Sequence, residues 1–105
     1  LFATARAMLL DACVCLLYRQ GGDSMSMQGL VDLLQNDISH NEDQDMPSIK
    51  AAYAKIEADG ATVEEDLGLK RYRMFQAIAY GETAISVELD LYAKLSAMAD
   101  RPLVG

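Results

Sequence analysis

Tryptophan is absent from this chain of 105 residues, histidine occurs once, and cysteine, proline and phenylalanine occur twice each. Cys13 and Cys15 stand two apart in a segment that reads as helix, so at about 100° per residue they point to nearly opposite sides. They cannot form one disulfide or one chelate. With no third or fourth cysteine for a zinc site, they are expected to pack as small hydrophobes in a reducing compartment. The single His40 has no serine or cysteine beside it in a recognisable motif, so nucleophilic catalysis has no candidate. Long apolar runs are also missing: Ala7 to Tyr18 is the longest, twelve residues with Asp11 inside it, whereas a bilayer crossing needs roughly 20. Positive charge is scarce, nine Lys and Arg against sixteen Asp and Glu, and the net charge of -7 argues against a domain that holds nucleic acid through overall charge. A local basic patch is still open to that role.

Two partial motifs fail at the positions that matter. Asn41-x-Asp43-x-Asp45 begins like a calcium loop, but such a loop needs Gly at its sixth position and Glu at its twelfth, where Met46 and Ala52 stand. Gly81-Glu82-Thr83 echoes the end of a phosphate-binding loop, which needs Lys in place of Glu82 and Gly in place of Gln76. The sequence therefore offers no catalytic residue, no cofactor site and no metal site. What it does have is apolar material, 51% of the residues, enough for the core of one domain over residues 1–105. A start at Leu1 without Met and an apolar end at Leu103 and Val104 read as a segment excised from something longer.

The apolar positions recur at helical spacing. Phe2 to Tyr18 holds Ala, Leu and Met with no Gly or Pro, which predicts a helix buried on most sides and forming the centre of the bundle, ended by Arg19-Gln20-Gly21-Gly22. Ser26 is a candidate N-cap for a second helix through Met27, Leu30, Val31, Leu33 and Leu34, fading by Asn36. Asp37 to Met46 is polar and without period, a predicted loop, with Pro47 suited to the first turn of a third helix. Ile49, Ala52, Tyr53 and Ile56 mark that helix's inner stripe and Gly60 its stop. Thr62-Val63-Glu64-Glu65 fits a capping box, predicting that a fourth helix starts there and carries Leu67, Tyr72, Phe75, Ile78 and Ala79 inward, tolerating Gly68 at a cost. Gly81 ends it and Thr83 is expected to cap a fifth. On that helix Ala84, Val87, Leu91, Leu95 and Met98 form the inner face, widened by Ile85, Leu89 and Tyr92, with an Asp90–Lys94 pair outside. No stretch alternates as a strand would, and the fold class is all-α, a compact bundle of about five helices.

Charge is unevenly spread. Residues 37–66 hold nine acids against two bases, and beside them Lys70-Arg71-Tyr72-Arg73 is the one basic cluster. Both can be solvated faces, with Glu64 to Asp66 pairing to the basic turn. The functional reading is an acidic docking surface of Asp37, Glu42, Asp43, Asp45, Glu64 and Glu65 for a basic partner. Lys70, Arg71 and Arg73 are the alternative patch, for nucleic acid or an acidic partner, and the only positive sign of a stand-alone helical DNA-binding domain.

Phe2-x-x-x-Ala5-x-x-Met8-Leu9 followed by a buried helix to Leu17-Tyr18, then Tyr72-x-x-Phe75, Thr83-x-x-Ser86-Val87 and Ala93-Lys94-Leu95-x-x-Met98, resembles the all-α domain of type IV coupling proteins, the TraG-like ATPases of conjugation and type IV secretion. The similarity covers nearly the whole chain and is weakest in the middle loop. Glu82 stands where a Lys commonly precedes the Thr, and Phe75 to Thr83 is one residue longer than usual. The resemblance implies a membrane-anchored homo-hexameric ATPase that carries this domain as an insertion on the cytoplasmic side, away from the membrane. In that family the insertion recognises a relaxase, a relaxosome accessory protein or a secreted effector, sometimes touching DNA. ATP hydrolysis belongs to the flanking domain, so a binding module is expected here.

Overall fold

The computed structural model describes residues 2–21, 26–39 and 49–100. It is an all-α bundle of five helices: α1 (Phe2–Gln20), α2 (Met27–Ser39), α3 (Ile49–Ala58), α4 (Leu67–Ile78) and α5 (Glu82–Asp100). None of them is long and apolar enough to cross a membrane among the described residues.

The organising element is α1, which packs against α4 along its length and also touches α5 and α2. Ala5, Leu9, Ala12, Cys13, Leu16 and Leu17 recur at three- and four-residue steps and are all buried, the stripe an amphipathic helix needs to face a core. Leu33 and Leu34 of α2, Ile49 and Tyr53 of α3, Leu69, Tyr72 and Phe75 of α4 and Val87, Leu91 and Leu95 of α5 close around it. Tyr53 is fully buried and donates its hydroxyl to Ala12 O on α1 at 2.6 Å, which satisfies the polar end of a large apolar side chain. Its ring stacks on Tyr72 at 5.1 Å between centroids. Where α4 starts, Gly68 allows a contact no other residue would: a Cβ there would lie 2.4 Å from Tyr53 Oη and 2.7 Å from Cys15 Cβ. The glycine is thus required by the close approach of α4 to α1 and α3 and is not merely tolerated.

Several boundaries differ from the sequence expectation, each for a local reason. Ser26 does cap α2, its Oγ accepting from Gly29 N at 2.9 Å. The helix runs on to Ser39, so Asp37 is in its last turn and half-buried, not in a loop. The extension has a purpose, since Asp37 Oδ1 accepts the amide of Ile49 at 2.8 Å and supplies the first turn of α3 with an acceptor from another helix. Gly60, at φ 110°, stops α3 as expected, with Gly60 N bonded to Glu57 O and Ala61 N to Ile56 O, the paired bonds of a Schellman end.

Thr62 to Glu65 forms a turn and not the first turn of α4. Thr62 O accepts from Glu65 N and Asp66 N, and the Thr62 hydroxyl meets Glu65 Oε1 at 3.0 Å. The N-cap is Asp66, whose Oδ1 accepts from Leu69 N at 3.0 Å. Starting the helix at Leu67 turns that residue outward, to 57% exposure, against the expectation that it packs inside. Likewise α5 begins at Glu82, with Ile85 N bonded to Gly81 O, so Thr83 lies inside the first turn and does not cap it. Ile85, Leu89 and Met98, assigned to the inner face, are exposed, while the Asp90–Lys94 pair is present at 3.2 Å. Cys13 is buried as expected but Cys15 only partly so. His40, Pro47 and the Asn41-to-Met46 segment lie outside the described residues.

Candidate docking site

The ion pairs decide which charges face solvent unengaged. In the basic cluster, Arg73 Nη2 meets Glu57 Oε1 at 2.5 Å and its Nη1 donates to Gln76 Oε1 at 2.7 Å, which ties α4 to α3. Arg71 is half-buried, its Nε 3.6 Å from Asp11 Oδ2 and its Nη1 3.6 Å from Met8 Sδ, so it lies along α1. Lys70 is exposed. Two of the three cations therefore neutralise acids of this chain, and the pairing expected between Glu64 to Asp66 and this cluster is replaced by one between Asp66 and Arg19 of α1.

The acidic set is divided. Glu64 and Glu65 are exposed on the turn before α4. Asp37 lies elsewhere, half-buried, with Ile49 N and the carboxyl of Glu88 as partners. Glu42, Asp43 and Asp45 lie outside the described residues.

Glu65 lines a shallow groove of about 380 Å³ between the end of α1 and the start of α4, together with Cys15, Tyr18, Arg19, Leu67 and Gly68. The surface is mostly apolar. Tyr18 is 78% exposed and Leu67 57%, two large exposed side chains on one groove. The groove has a structural origin: Gly68 lets the helices come close at that point, and the Asp66 cap, clamped by Arg19, holds Leu67 at the rim. Burial, and next the charge of Asp11, push the Cys15 thiol up from its ordinary value, so it stays protonated and packs as part of the apolar wall. From the sequence Leu67 is expected inside the bundle and Tyr18 has no assigned site role. For Leu67 the deciding feature is the N-cap: choosing Asp66 over Thr62 rotates it outward.

A second cavity of about 380 Å³ opens near the other end of α1, lined by Phe2, Ala5, Ile78, Tyr80 and Thr83. No group of three or more His, Cys, Asp or Glu side chains that could hold a metal ion occurs among the described residues. No family model, no curated protein and no solved structure matches this chain.

Proposed function

We propose that this domain is the substrate-recognition module of a type IV coupling protein, docking a relaxase, a relaxosome accessory protein or a secreted effector for transfer. The observation that carries a docking role is the exposure of Tyr18 and Leu67 on one groove, with the exposed acids Glu64 and Glu65 on the turn that leads into α4. Exposed apolar side chains beside an acidic turn suit a basic protein segment that places a side chain against Tyr18 and Leu67, with Glu64 and Glu65 steering its approach. The family assignment rests on the residues of the resemblance, and with it come a homo-hexameric ATPase parent, a position on the cytoplasmic side of the membrane, and ATP hydrolysis by the flanking domain.

The experiment is a pull-down and calorimetric titration of the domain with purified candidate relaxases and accessory proteins. Retention of one of them, weakened by Tyr18→Ala and by reversal of Glu64 and Glu65 to Lys, is the expected result. Reversal of Glu42, Asp43 and Asp45 tests whether the acidic middle segment contributes. Salt-dependent binding of short DNA duplexes, lost on reversal of Lys70, Arg71 and Arg73 and without any protein partner, would instead make this a DNA-binding domain. Saturable ATP binding would overturn the assignment of nucleotide chemistry to another domain.

A further inference from the structure

α1 and α4 run antiparallel, and three crossings fix their register. Cys15 stands against Gly68, Asp11 and Met8 against Arg71, and Phe2 and Ala5 share a cavity with Ile78. Each helix keeps a stripe toward solvent at steps of three and four residues. On α1 it is Ala3, Ala7, Asp11, Val14 and Tyr18, of which only Val14 is half-buried; on α4 it is Leu67, Lys70, Met74 and Ala77, all exposed. The two stripes adjoin at two levels, where Val14 and Tyr18 line one groove with Leu67, and where Asp11 meets Arg71, the neighbour of Lys70. A helix face left to water ordinarily carries several charges, as α3 does with Lys50, Lys55 and Glu57. On the α1–α4 face Asp11 is offset by Arg71, and Lys70 is the remaining charge.

We propose that this face seats one amphipathic helix of a protein partner, about four turns long, apolar at three- and four-residue steps and basic at the end that lies toward Glu64 and Glu65. The proposal rests on the reading of the Tyr18–Leu67 groove as a docking site and gives the shape of what docks there. From Ala3 to Tyr18 the stripe is about 22 Å long, the length of a helix of about 15 residues. Ala3, Ala7 and Ala77 are small enough for another helix to approach to the usual 8–10 Å between axes, and Tyr18, Leu67 and Met74 supply the large apolar groups that leave water on contact. Charge decides the chemistry of the occupant. Exposed Glu64 and Glu65 stand on the turn that leads into α4, so bases are favoured at that end. Lys70, one turn into α4, repels bases placed farther along, which confines them to the end. A second copy of the chain is the poorer occupant, because each copy carries a net charge of -7.

The probe is a synthetic peptide of about 16 residues, stapled as a helix, with leucines at three- and four-residue steps on an alanine and glutamine background and lysines in its last turn, where the helix dipole favours them. Its control has the same composition, with the leucines moved so that they no longer share a face. In an NMR titration of the intact chain, the probe is expected to bind saturably and to shift the amides of Ala7 and Met74 as well as those of Tyr18 and Leu67, while the control does not bind. Met74→Ala and Ala7→Gln, both at exposed positions, should each weaken the probe by about fivefold or more, and reversal of Glu64 and Glu65 to Lys should do so at low salt and less at high salt. No saturable binding, equal binding of the control, or unchanged affinity in either Met74→Ala or Ala7→Gln would overturn the seat. Shifts confined to Tyr18 and Leu67 would overturn it too and leave the groove as the whole docking site. A probe that seats as expected, with no relaxase or accessory protein retained, would support the helix seat and count against the named cargo instead. Sedimentation of the chain alone is expected to show a monomer, and a dimer abolished by Met74→Ala would give the face to a second copy and overturn the proposal. The wild-type shift map decides the matter even where a variant fails to fold.

Discussion

Gly68 and Tyr53 form a matched pair, one giving up its side chain so that the other can be buried. A methyl group at 68 would press on Tyr53 Oη and on Cys15 Cβ, whose separations of 2.4 and 2.7 Å no real Cβ tolerates. Gly68→Ala is therefore expected to destabilise by about 1–3 kcal/mol even though alanine is the better helix former. Tyr53→Phe loses the bond to Ala12 O and should cost about 1 kcal/mol by itself. Because the phenolic oxygen is the atom nearest the new methyl, the double variant should be more stable than the two single losses added together. Urea denaturation of the four proteins measures that coupling, and strict additivity would show that the strain falls on Cys15 alone. Gly68 was visible in the sequence only as a flaw in a helix, since the residues that crowd it are separated from it by 15 and 53 positions and only the folded chain joins them.

Periodicity made the helices themselves legible, because apolar residues at three- and four-residue steps admit few other readings. The ends were less so. Thr62 and Asp66 are both capping residues four apart, and the choice between them depends on the Arg19 clamp from a distant helix, which no local pattern contains. The same holds for Asp37, whose polarity and setting among acids resemble a solvated loop until α3 provides an amide and α5 a carboxyl for it to bind. Glu64 and Glu65 stand out in the sequence by charge alone, whereas the exposure of Tyr18 and Leu67 is hidden by the expectation that large apolar residues at helical spacing face inward. For α1, the central position follows from its unbroken apolar composition. Leu9 and Leu16 are 0% and 4% exposed, and truncating either to Ala is expected to cost about 2–5 kcal/mol through the cavity it leaves. Leu67→Ala, at an exposed position, should stay within about 0.5 kcal/mol. Thermal or urea midpoints of the three variants check this order, and an Ala variant at Leu9 as stable as that at Leu67 would contradict it.

Over the whole molecule, two carboxyls on α5 shape the response to pH from opposite sides. Glu88 holds a proton in the folded state that the unfolded chain releases above about pH 4.3, so its contribution is present in acid and is lost as pH rises through about 9. Asp90 behaves in the reverse way: hydrogen bonds from Arg6 of α1 and from Lys94 hold its carboxyl below the usual range, so its contribution is present above about pH 4 and lost as pH falls further. Stability is expected to peak on the acid side of neutrality. Asp90→Asn should flatten the acid limb of thermal midpoints against pH, and a peak in alkali would contradict the assignment. On the proposed docking role, the net charge of -7 would attract a basic partner from a distance, with screening shortening that reach to about 8 Å at physiological ionic strength, and the apolar groove would then supply contact. The most direct test of this account is calorimetric affinity for a retained relaxase or accessory protein, compared between Leu67→Ala combined with Glu64→Lys and Glu65→Lys, and Lys70→Glu combined with Arg73→Glu. The account predicts at least a tenfold loss of affinity in the first variant, about 1.4 kcal/mol, with little change in the second. Unchanged affinity in the first, with loss in the second, would contradict it and move the docking surface to the basic face of α4.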